Sequence, residues 1–123
     1  MSPAFTSPRL WAALGALVSG TSVVLGACGW HSLSADETMR GIFMLAAQHQ
    51  MAHGLALFAV AWLCDAGGRA AMAAAAAGTA FVAGVVLFSV NLYVLTVTGA
   101  PLLVGAAPVG GFAMMAGWAA LAL

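Results

Sequence analysis

The chain has no lysine, and only three arginines, three acidic residues and three histidines among its 123 residues. Its charged fraction is 5%, whereas a soluble domain is ordinarily about 25% charged. So short a chain has a large surface per residue to keep wet, and it lacks the polar side chains to do so. These shortages exclude an ordinary soluble domain, a disordered chain and a nucleic-acid binder, which would need a basic surface. Two cysteines, Cys28 and Cys64, are too few for a disulfide framework. The acids Asp36, Glu37 and Asp65 all fall in connecting segments. No paired carboxylates, phosphate-binding loop or nucleophile–base set can be assembled, so the chain is expected not to be an enzyme and to carry no cofactor.

What the sequence has instead is hydrophobicity: 64% apolar residues and a mean hydropathy of +1.09. A helix needs about 20 apolar residues to cross a bilayer, and residues 10–29, 44–63, 70–95 and 104–123 each supply such a run. Barrel strands are shorter and alternate, so the expected fold is all-α: one integral-membrane four-helix bundle over residues 1–123. The third run is longer than a span requires and suggests tilt. Ser34 with Glu37 three residues on can cap a short interfacial helix before the second run. Arg9 and Arg69 lie at one face and Arg40 at the other, which favours cytoplasmic termini by the positive-inside bias. Trp11, Trp62 and Trp118 then fall near the inner face, and Trp30 and Tyr93 near the outer. Cys28 and Cys64 sit at opposite faces, about 30 Å apart in level, too far for a bridge. Leu25-Gly26-Ala27-Cys28 also looks like a lipoprotein signal, whose cleavage would leave three helices. The full span length of the first run weighs against that.

Membrane helices associate through small residues and polar contacts. Ala12/Ala16/Gly20, Gly15/Ser19, Ser22/Gly26, Ala73/Ala77, Ala80/Gly84, Ala113/Gly117 and Ala116/Ala120 have suitable spacing. Contact inside one bundle is the simpler use of them, and a dimer surface the sharper one.

The polar residues concentrate in the second run. His49 and His53 lie about 40° apart on a helix, and Gln50 about 60° beyond. His53 is about 14 Å in from Met44, near the midplane, where an imidazole must find a partner. Ser89, Asn91 and Tyr93 of the third run, and His31 at the end of the first, fall at overlapping levels. Together they predict a polar cluster, His31, His49, Gln50, His53, Ser89, Asn91 and Tyr93, lining a small pocket that opens outward. Pro108-Val109-Gly110-Gly111 is expected to loosen the backbone nearby, so that its carbonyls join the lining. Two histidines at this spacing can face one metal but make an incomplete set. Axial haem ligation by His53 and a proton relay through His53, Gln50 and Tyr93 are further alternatives. Interhelical hydrogen bonding that fixes the bundle is the reading these residues favour.

Several stretches taken in order carry a resemblance. They are Gly26-Ala27-Cys28-Gly29-Trp30-His31, His49-Gln50-Met51-Ala52-His53, the run from Gly84 to Tyr93, Pro108-Val109-Gly110-Gly111 and Gly117-Trp118. Over nearly its whole length the chain resembles the small membrane proteins grouped as domain of unknown function 423, or transmembrane protein 256-like. The resemblance implies a four-helix protein of the bacterial inner membrane and implies no activity. His31, His53, Ser89, Tyr93, Pro108, Gly110 and Gly111 match the family pattern. Cys28 stands where an aromatic is usual, His49 replaces a tyrosine, Trp30 a small residue, and Val90-Asn91 a glycine–serine pair. The expected function is therefore a structural or accessory component of the inner membrane, with a membrane-protein partner or further copies of itself. A small oligomeric transporter or proton-coupled channel, and a redox subunit using its histidines with haem, metal or quinone, are the rivals.

Overall fold

The computed structural model describes residues 3–123. After a short 3-10 turn at Ala4–Thr6, four helices account for most of the chain. They are α1 (Pro8–Ser32), α2 (Glu37–Ala66), α3 (Gly68–Thr98) and α4 (Ala106–Ala122). Consecutive helices pack antiparallel, α1 on α2, α2 on α3 and α3 on α4. α1 and α3 are long and apolar enough to cross a membrane, and α4 is a shorter apolar helix.

Local sequence explains the ends. Pro8 sits at the first helical position of α1, where the missing N–H costs nothing. α2 begins at Glu37 and not near Met44, because Asp36 caps it: its carboxylate accepts from the Met39 N–H at 3.0 Å. Ser34 is not the cap, and the expected interfacial helix is simply the first turns of α2. Gly67 and Gly68 both have positive φ, 75° and 66°, which other residues rarely adopt. This pair reverses the chain between α2 and α3 with no intervening loop.

α3 is not uniform. Val86–Val90 forms a π-helical turn within it. Phe81, Val85, Ser89 and Tyr93 are all buried at four-residue intervals. Each such step overshoots a full α turn by about 40°, so a plain α-helix would carry Tyr93 well away from the line of Phe81. The wider π turn takes up part of that drift and keeps the outer half of α3 facing α2.

The side chains pack in two layers. Trp11, Leu57, Val60 and Phe81 anchor the layer nearer the α2–α3 turn. Phe43, Ala46, Ala47 and Tyr93 form the other. Of the small-residue pairs, Gly15, Gly26, Gly84 and Gly117 face neighbouring helices, whereas Ala16 and Gly20 are exposed. The closest backbone-to-backbone approach among the described glycines is at Gly110, where a Cβ would stand 2.6 Å from the Phe88 nitrogen and 2.8 Å from the Gly84 oxygen. Backbone meets backbone there, directly against the π turn.

Candidate functional site

α2 places its polar residues on three faces. Gln50 points between α1 and α3. Its Nε2 donates to the Val18 carbonyl at 2.9 Å and to Thr21 Oγ1 at 2.8 Å. Its Oε1 accepts from the Tyr93 hydroxyl at 2.7 Å. One buried amide thus ties three helices together, and Thr21 passes its own proton to the Leu17 carbonyl at 2.7 Å.

His53, about 60° round the helix from Gln50, points toward α3 and α4 and is 6% exposed, so its imidazole is shielded from lipid. Its Nδ1 lies 2.6 Å from the His49 carbonyl, and the Trp118 indole N–H donates to its Nε2 at 3.0 Å. An indole can only donate, so Nε2 is the bare nitrogen and the proton sits on Nδ1. The ring is a neutral imidazole with its donor and its acceptor both taken. Phe81 and Trp118 flank it at centroid distances of 5.3 and 5.9 Å.

The remaining candidates disperse. Ser89, fully buried in the π turn, donates to the Ala46 carbonyl at 2.8 Å. Asn91 Oδ1 accepts from the Leu103 N–H at 2.9 Å, pinning the connection between α3 and α4. His49 is half-buried; its Nδ1 is bonded to the Leu45 carbonyl at 2.9 Å, and its ring lies 4.8 Å from that of Phe88. His31 is exposed at the end of α1 and makes no hydrogen bond among the described residues. Pro108, Gly110 and Gly111 lie in the first turns of α4. They are helical, not a loosened turn, and Gly110 is packed against α3.

The expected single pocket is therefore resolved into separate places. A groove of about 350 Å³ runs beside Tyr93, with Leu25, Cys28, Leu33 and Phe43 in its walls. Another of about 340 Å³ is lined by His49, His53, Phe88, Met114 and Trp118. Both are mainly apolar. Cys28 is exposed and Cys64 buried, and both are free thiols. Among the described residues no three His, Cys, Asp or Glu side chains converge. His53 has no lone pair to give a metal or a haem iron unless Trp118 is first displaced.

Two contributors went unrecognised in the sequence as partners. Thr21 is an exposed residue of α1 with nothing to mark it. Trp118 reads as a boundary aromatic, yet it lies level with His53. The usable signal was chemical: an indole N–H on an apolar helix needs an acceptor, and His53 is the acceptor on offer.

Fold and site together define a small α-helical membrane protein whose buried polar side chains, Ser19 Oγ apart, are hydrogen-bonded within the bundle. A family described as protein of unknown function (DUF423) matches residues 25–111. The chain is 36% identical over 114 residues to the UPF0382 membrane protein YwdK of Bacillus subtilis, covering 89% of this chain and 90% of that protein. Staphylococcus haemolyticus has a UPF0382 membrane protein 34% identical over 112 residues, with 89% of each chain covered. One from Staphylococcus epidermidis is 31% identical over 117 residues, covering 94% of this chain and 93% of the relative. No solved structure matches. The chain belongs to the DUF423 (UPF0382) family of membrane proteins.

Proposed function

We propose that the chain is a four-span protein of the cell inner membrane with both termini in the cytoplasm. Its role is structural or accessory within a larger membrane assembly, and it is not catalytic. Within its family we assign it to the transmembrane protein 256-like proteins, on the motif order described above. Four spans are supported by the lengths of the helices. α2 has 30 residues, or about 45 Å, and α4 has 17, or about 25 Å. The antiparallel packing sets Arg9 and Arg69 at one end and Arg40 at the other, which supports cytoplasmic termini.

One observation carries the functional reading. The buried polar side chains on α2 have their donors and acceptors taken: Gln50 bonds neighbouring helices through both ends of its amide, and His53 bonds α4 through Nε2 and the His49 carbonyl of its own helix through Nδ1. Groups poised for substrate or cofactor keep a free lone pair or proton; these hold helices. The test is purification from native membranes in a gentle detergent, with mass spectrometry and an absorbance spectrum on the same sample. Partner polypeptides in fixed stoichiometry and no visible band are expected. A Soret band, or ion flux in liposomes that His53→Ala abolishes, would refute the reading.

A further inference from the structure

The two glutamines near the middle of α2 have opposite fates. Gln50 is saturated within its own chain. Gln48 is exposed and, among the described residues, has no hydrogen-bond partner. It points about 180° away from buried Leu57, so it stands on the outermost face of the bundle. It lies about 17 Å along the helix from Glu37, below the level at which headgroups and water could serve it. A bare amide in hydrocarbon is costly.

Its surroundings form a continuous seam. Leu45, Gln48, Ala52, Leu55, Ala59 and Trp62 follow one another in alternating three- and four-residue steps, and all are exposed. This is the repeat along which two helices interdigitate as a left-handed pair. Large Leu45, Leu55 and Trp62 (43%, 55% and 74% exposed) alternate with small Ala52 and Ala59. Gln48 is the single polar residue in the stripe, and one amide in an otherwise apolar seam fixes register.

We propose that this face of α2 is a homodimer seam, in which Gln48 pairs amide to amide with Gln48 of a second copy. The inference rests on reading α2 as a span. A second copy is the partner because an amide is its own complement: each offers one N–H and one C=O to the other. A twofold axis along the membrane normal brings the same residue to the same depth in both copies, in one orientation. A lipid tail offers neither donor nor acceptor. Arg40 does not crowd the axis, since its guanidinium is held 4.3 Å over the Trp30 ring of its own chain.

The test is energy transfer in phosphatidylcholine vesicles. Donor and acceptor maleimides are attached to exposed Cys28, Cys64 being buried, and the protein is diluted with lipid. Transfer above the random-proximity level and linear in acceptor fraction is expected. Gln48→Leu should raise the dimer dissociation constant about tenfold, and Gln48→Asn, which keeps the amide, should restore much of it. Because Gln48 makes no hydrogen bond among the described residues, unchanged helical circular dichroism is expected for both variants. Transfer at the random level in the wild type, a curved dependence on acceptor fraction, or a dimer indifferent to Gln48→Leu would each overturn the seam. A monomer would leave the accessory role standing. A Soret band or a His53-dependent flux would remove that role and leave the dimer standing.

Discussion

Replacing Gln50 with leucine removes three interhelical hydrogen bonds at once while keeping nearly the same volume. The bonds run to Val18, Thr21 and Tyr93, on α1 and α3. A side-chain hydrogen bond between membrane helices contributes about 0.6 kcal/mol on average and about 1.7 at most. Gln50→Leu should therefore cost about 2 kcal/mol. Tyr93→Phe removes only one bond, so it should cost about 0.6 kcal/mol, and more if the Gln50 oxygen is left dry. The double variant should cost less than the sum, because the two share a bond. Unfolding in mixed micelles with rising dodecyl sulfate, followed by circular dichroism, measures all three. If Gln50→Leu costs under about 0.5 kcal/mol, or the two changes are strictly additive, the amide does not join the helices and the argument for a filled interior fails.

Gly110→Ala should cost about 1–3 kcal/mol in the same titration, since its Cβ meets backbone atoms that cannot step aside. Gly111→Ala, one residue on with nothing within 4 Å of its Cβ, should be neutral or stabilising through helix propensity. Trp118→Phe should cost about 1 kcal/mol by stripping the donor from His53. In the wild type, nitrogen-15 spectra of labelled histidine should show His53 protonated at Nδ1; protonation at Nε2 would contradict the indole contact.

The positions of the helices were legible from hydrophobic run length alone, because runs of about 20 apolar residues are too long and continuous for strands. The boundaries were less so: α2 starts at Glu37 because an aspartate side chain turns back on Met39, and serine and aspartate compete for that role in the sequence. Helical periodicity put His49, Gln50 and His53 on one face of α2, and the structure divides that face among different neighbours. Periodicity could not say that α1 and α3 would stand before Gln50 and α4 before His53, since helix order in a bundle is a tertiary fact. His31 was placed by level, and level does not bend an exposed helix end inward. The π turn left no mark in composition. It follows from the need to keep Ser89 and Tyr93 on α2 while Gly110 abuts the same stretch.

That turn makes α3 one residue richer than a straight helix of equal reach. Losing a residue there would tighten the coil to plain α geometry and leave the last two turns close to their present phase, whereas losing one elsewhere in α3 would swing them about the axis by roughly 100°. In that second case Tyr93 would swing away from Gln50, and Asn91 from the loop it clasps. Single deletions should thus be tolerated at the chain's ends and connections and between Val86 and Val90, where one surplus link is there to lose, but not in the α-helical turns on either side.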